Sequence, residues 1–226
     1  MPELVLPPLT LLLLALFGGW AAVDGTSVGQ FGVSRPLVAV LGAGLIVGEP
    51  AAVLPLALLL EAAHLSVLPV GAARYPESGP PAVVGAALYA AGPQTPGALL
   101  STLVLVLALE WLSGESIRWL RSVNIRLLLP CLGRGVRAGL LERRHLLAIA
   151  ADFARGMLLL LAGLTLLAPP LHWAAGVWGN GVDPLARALL TMFLIFMLAA
   201  SARLFTGRAR LFVVGAAAGL LVQVLR

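Results

Sequence analysis

The sequence contains no lysine, and charged residues make up only 11% of its 226 residues. A soluble domain carries about 25% charged residues, so there is too little charge here to cover a water-exposed globule. Low charge combined with 60% hydrophobic residues also excludes a disordered chain. Aromatic residues are scarce, at 6%, and strand-like alternation is rare, which argues against a transmembrane β-barrel. The single cysteine, Cys131, excludes an internal disulfide and any cysteine-based metal cluster. The three histidines (64, 145 and 172) show no metal-ligand spacing, and no phosphate-binding loop is present. No metal or other cofactor is expected.

What the chain does have is long apolar runs and a mean hydropathy of +1.01. The expected fold is all-α: a polytopic integral membrane protein with broken or re-entrant helices in the first third. Residues 1–226 read as one membrane domain. Its spans at 1–112 include broken segments at 24–73. A basic amphipathic segment follows at 113–155, then C-terminal spans at 156–226. Leu4–Val23 is long enough to cross a bilayer. Its Met-Pro-Glu start lacks the positive charge of a secretory signal, so it reads as a retained membrane helix.

The runs that follow are short. Leu37–Gly48 ends at Glu49-Pro50, Ala51–Leu60 ends at Glu61, and Ala62–Ala73 contains His64. Runs of this length suggest buried or broken segments. Pro50, Pro55 and Pro69 add break points. Gly92–Gly97 reads as a turn between two further apolar runs. Gly156–Leu171, ending at Pro169-Pro170, and Leu185–Ala202 read as spans, with Leu211–Leu225 as a final short one. His172, Trp173 and Trp178 suit an interfacial belt.

Charge is unevenly divided. Residues 1–113 hold two Arg and six acids, whereas residues 114–226 hold thirteen Arg and four acids. In a soluble protein such a basic half would suggest nucleic acid. Here the arginines flank apolar runs, so they mark the cytoplasmic side and no nucleic-acid partner is expected. Residues 117–144 read as a basic amphipathic segment on the membrane surface, either a plain connector or a docking surface for other subunits.

Ionisable groups within membrane segments are costly and therefore point to function. Asp24, Glu49, Glu61 and His64 all fall in the first third. Asp24 is followed by Thr26, Ser27 and Gln30; carboxylates with hydroxyl and amide neighbours suit a polyhydroxylated ligand. Glu61 and His64 share one face of a helix. Asp24, Thr26, Gln30, Glu61 and His64 are thus the candidate ligand residues. Arg35 and Glu49 are candidates for structural positioning. Helix capping remains open for Asp24, and simple packing for His64.

The motifs Asp24-Gly-Thr-Ser-Val-Gly-Gln30, Ser34-Arg35-Pro36-Leu37, Gly48-Glu49-Pro50, Leu59-Leu60-Glu61 and Leu68–Ala73 occur in order over about fifty residues. In this the chain resembles the membrane subunit IIC of the mannose/fructose/sorbose class of bacterial phosphotransferase systems. The chain departs from that pattern at Gly48-Glu49, where Gly-Asp is usual, across Ala51–Leu58, and after Glu61.

The resemblance implies a subunit that conducts a hexose-type sugar across the bacterial cytoplasmic (inner) membrane, as part of an oligomer with a IID membrane subunit. Cytosolic IIA and IIB subunits would phosphorylate the sugar, so the chain itself would be a transporter component without its own catalytic residues. The same resemblance places Asp24, Thr26, Gln30 and Glu61 toward the sugar. A non-transporting membrane scaffold of the same fold is the alternative. A lipid-modifying enzyme would need acid/base pairs that the sequence does not display.

Overall fold

The computed structural model describes residues 6–65, 75–132, 138–178 and 183–202. The expectations for Leu68–Ala73, Arg74, Arg134, Arg137 and the C-terminal basic loop and span after Ala202 lie outside the described residues. Those that are described form seven helices: α1 (Pro8–Thr26), α2 (Pro36–Val47), α3 (Pro50–His64), α4 (Gly79–Ala91), α5 (Pro96–Leu132), α6 (Ala138–Trp178) and α7 (Asp183–Ala202). Four of them, α1, α5, α6 and α7, contain stretches long and apolar enough to cross a membrane. The chain is an all-α, multi-pass membrane protein.

Proline starts most of these helices. Pro8, Pro36, Pro50 and Pro96 are the first helical residues of α1, α2, α3 and α5. A first-turn N–H has no intrahelical partner in any case, so proline costs nothing there and its φ is already helical. The three short apolar helices, α2, α3 and α4, are 12, 15 and 13 residues long. α2 and α3 are the broken segments expected within residues 24–73, and α4 is a further short helix beyond them. The break between α2 and α3 is made by Gly48, whose φ of 92° is left-handed and favours glycine. Its N–H reaches back to Gly44 O at 2.9 Å, and the N–H of Glu49 reaches the same carbonyl at 2.8 Å. Pro50 then starts α3. Glu49 is exposed at this turn, and its side chain makes no capping hydrogen bond to α3.

Several expected breaks are absent: α3 continues through Glu61, where an apolar run was expected to end, to His64, and three prolines sit within helices. Pro55 lies inside α3, and Pro169 and Pro170 lie inside α6, which continues to Trp178. All three face outward, so each ring avoids the packed side and costs mainly one backbone hydrogen bond. The basic segment is also not a separate surface helix. α5 runs without interruption through residue 114, and α6 begins at Ala138. At 1.5 Å per residue, helices of 37 and 41 residues are roughly 55 and 60 Å long, against a hydrocarbon core of about 30 Å. The two helices extend beyond the spans as a hairpin carrying Arg118, Arg121, Arg126, Arg143 and Arg144.

Small residues allow a close crossing between α1 and α6. A Cβ on Gly156 would stand 2.5 Å from Ala22 Cβ and 2.9 Å from Gly18 O, so the two backbones touch. Leu14 and Leu160, both fully buried, fill the same seam and join a core with Val40, Val53, Leu56, Val83 and Val106. Leucines such as Leu9, Leu158 and Leu166 project outward, as a lipid-facing surface requires.

Candidate functional site

The carboxylate of Asp24, at the end of α1, is buried, and each of its oxygens holds a backbone N–H. One oxygen accepts the Phe31 N–H at 2.6 Å and the other accepts the Ser34 N–H at 2.9 Å. Asp24 therefore ties down the loop from Ser27 to Arg35, which has to turn sharply: Gly29, Gln30 and Gly32 all have positive φ. Gln30 is exposed at the bend, with φ 52°.

Glu61 performs a similar task for α2. Its Oε1 accepts from Arg35 Nε at 3.0 Å and also from Arg35 Nη2, while its Oε2 accepts the Leu37 N–H at 3.1 Å. A carboxylate at the first turn of a helix satisfies a free N–H and favours the helix dipole. Arg35 completes the pair, and its side chain is 45% exposed.

The ends of four elements enclose a small cavity of about 80 Å³. It is lined by Gly25 and Thr26 from α1, Ser34, Arg35 and Pro36 at the start of α2, His64 at the end of α3, and Tyr75–Gly79 leading into α4. The lining offers hydroxyl, guanidinium and carboxylate groups, and the space suffices for several waters. Of the five candidate ligand residues, Thr26 and His64 line this cavity. Glu61 meets it through Arg35, whereas Asp24, near the end of α1, holds the loop that carries Gln30 and does not line the cavity. Each His64 ring nitrogen has a neighbour: Nδ1 is 2.9 Å from Leu60 O, and Nε2 is 3.4 Å from Glu110 Oε2.

Behind the cavity lies a buried charged network that the sequence reading passed over. Arg155 of α6 grips Glu77 with two parallel bonds, Nη1–Oε2 at 2.6 Å and Nη2–Oε1 at 2.7 Å. It also donates to Asp152 Oδ1 from Nε at 3.0 Å and from Nη2 at 2.8 Å, and to Ser116 Oγ at 2.8 Å. The other Asp152 oxygen accepts the hydroxyls of Thr26 and Ser27. Ser113 donates to Glu77, and the Glu77 N–H donates to Glu110 O at 3.0 Å. The network joins α1, the entry to α4, α5 and α6. Gly114 makes room for it, since a Cβ there would lie 2.4 Å from Tyr75 O.

The signal for Glu110, Asp152 and Arg155 was present in the sequence. Each is an ionisable residue in or beside an apolar run, and the cost argument applied to Glu61 applies equally to them. Glu77 gave less warning, because it follows Tyr75-Pro76 in a segment that reads as a loop. Its burial depends on contacts with residues 36 and 78 positions away, Ser113 and Arg155.

Residues 8–114 match a family model described as the sorbose-specific IIC component of the phosphotransferase system. The match runs from the first residue of α1 to Gly114 in α5. It spans every residue lining the cavity, Glu77 included, together with Glu110 and Ser113, but stops short of Asp152 and Arg155. No curated protein matches the chain. The resemblance to IIC subunits of the mannose/fructose/sorbose class is borne out over this stretch, and it supports a IIC component of a sugar-transporting phosphotransferase system.

Proposed function

On the premise of that family match, we propose that the chain is the sugar-translocating IIC subunit of a phosphoenolpyruvate-dependent system in a bacterial inner membrane. It imports a hexose-type sugar together with a IID membrane subunit as part of an oligomer. Cytosolic IIA and IIB subunits supply the phosphoryl group. The observation that carries this reading is the coincidence of two things: the matched residues and the polar cavity where discontinuous helices meet. Transporters place substrate sites at such breaks, because unwound backbone and helix ends offer polar groups within an apolar bundle.

Around that cavity Thr26, Ser34 and Ser78 supply hydroxyls, Arg35 supplies donors, and the ring of His64 forms an apolar wall for a sugar's C–H face. Glu61 accepts hydrogen bonds from sugar hydroxyls at the rim when Arg35 swings toward the ligand. Asp24 and Gln30 act on the sugar through the shape and edge of the loop that carries Ser34. Alternating access then requires the cavity to enlarge and change sides as the short helices move against α5 and α6.

The hairpin formed by the ends of α5 and α6 faces the cytoplasm. A groove of about 720 Å³ between its arms, lined by residues including Asn124, Leu128, Glu142, Arg144 and His145, offers the phosphorylating subunits a mixed polar and apolar surface.

The test is sugar uptake by cells or vesicles containing the chain with its IID partner. Glu61→Gln should abolish uptake while leaving membrane insertion intact, since an ion pair with a half-exposed arginine contributes about 1 kcal/mol or less to stability. Unchanged uptake sinks the site assignment. Absence of uptake by the wild-type pair for every hexose tried favours the scaffold alternative.

A further inference from the structure

The contact between His64 and Glu110 is not absorbed by the network around Arg155. Both side chains are buried, and neither His64 Nε2 nor Glu110 Oε1 has a hydrogen-bond partner. The Leu60 carbonyl can only accept, so His64 Nδ1, at 2.9 Å, must carry a hydrogen. In a neutral imidazole that leaves the Nε2 lone pair 3.4 Å from Glu110 Oε2. If Glu110 were ionised, lone pair would face carboxylate inside an apolar bundle, and nothing would hold the two together.

The surrounding charges offer Glu110 no relief. Arg35, at the start of α2, pairs with Glu61 of α3. Arg155 of α6 is engaged by Glu77, ahead of α4, and by Asp152. Arg118, further along α5, pairs with Glu115. Asp24 of α1 is bound to backbone N–H groups, and α7 carries Asp183 and Arg187 near its start. Among the described residues no arginine pairs with Glu110.

We propose that His64 and Glu110 form a buried proton-binding site, holding one proton between Nε2 and Oε2 in addition to the hydrogen on Nδ1. Whether that proton sits nearer nitrogen or oxygen, the pair has no net charge and the contact is attractive. Loss of the proton leaves one uncompensated negative charge behind the cavity wall and drives the ring away from Glu110. Because His64 lines the cavity, the proton also sets the shape of that wall. Glu110 is thus a positioning residue for His64. The site itself does not depend on the sugar-transport reading.

Two measurements on the full chain in detergent micelles test it. The first is nitrogen NMR of histidine-labelled protein in which the exposed His145 and His172 are replaced by Asn, so that His64 alone reports. A ring with hydrogen on Nδ1, and with Nε2 either protonated or accepting a strong hydrogen bond, is expected at neutral pH. A ring protonated on Nε2 alone, or with a bare Nε2, overturns the proposal. The second is thermal stability against pH. Above about pH 6.5, where an unfolded histidine has lost its charge, the folded form holds one proton more than the unfolded chain, so stability should fall as pH rises from there until the folded site releases its proton. Within that window the folding equilibrium should change by up to about tenfold per pH unit. Glu110→Gln should flatten that slope, because its amide donates to Nε2 with no proton to lose. An identical slope in both proteins contradicts the proposal. If Glu110→Gln fails to fold, the His64 spectrum alone decides.

Discussion

Replacing Arg155 by Met should destabilise the protein far more than replacing any exposed arginine. The side chain is buried and makes four hydrogen bonds to two carboxylates, Glu77 and Asp152, which are themselves buried. Methionine fills much of the space but leaves both carboxylates without their counter-charge. Removing one partner of a buried ion pair costs about 3–5 kcal/mol, most of it the penalty of the stranded charge. For a chain of this size that corresponds to a fall in melting temperature on the order of ten degrees. The assay is thermal denaturation in detergent, with Arg118→Met as the control. Arg118 pairs with Glu115 on an exposed stretch of α5, and that pair contributes about 1 kcal/mol or less. A double-mutant cycle strengthens the test. Arg155→Met combined with Glu77→Leu removes one stranded charge and should recover part of the loss, giving a coupling of roughly 0.5–3 kcal/mol. If Arg155→Met costs no more than Arg118→Met, the network does not hold α4, α5 and α6 together, and the reasoning fails.

Asp24→Asn should destabilise the loop between α1 and α2 by about 1–3 kcal/mol, because the amide turns a donor toward one of the Phe31 or Ser34 N–H groups; faster protease cleavage within residues 27–35 would report it. Gly156→Leu should separate α1 from α6, where even a Cβ meets Ala22 and the Gly18 carbonyl, and should lower the melting temperature more than Gly139→Leu, whose site is open. A cysteine placed at Gly139, in a chain with Cys131 replaced by Ser, should be labelled from the cytoplasmic side only; labelling from the periplasmic side reverses the proposed orientation.

Much of the architecture was legible because membrane burial leaves a coarse signature. Apolar length alone located the spans now seen as α1 and α7, and the short runs on either side of Glu49 announced α2 and α3, although α3 continues through Glu61 to His64. The prolines were harder to read. Pro36 and Pro50 start helices, whereas Pro55, Pro169 and Pro170 sit within them with their rings exposed. The continuity of α5 through residue 114 was hidden as well. A change from apolar to basic composition reads as a boundary, yet Glu, Arg and Leu all favour helix and need not interrupt one.

The candidate site was legible in part. Thr26 and His64 were found where they line the cavity, and Glu61 beside it. Asp24 shows why the rest was obscure: the residue type suits a ligand, but its two oxygens are occupied by N–H groups 7 and 10 residues further along the chain. Partners at such separations, like those of Glu77 and Asp152, are set by how helices pack and leave no local pattern.

The most direct measurement is sugar binding to the chain purified together with a IID partner, comparing wild type with Glu61→Gln across a panel of hexoses. The account predicts that one or more hexoses bind the wild-type pair saturably, and that binding is lost in the Glu61→Gln pair although the two subunits still co-purify. Equal binding by both pairs would contradict the site, and no binding by a stable wild-type pair would contradict the transport function itself.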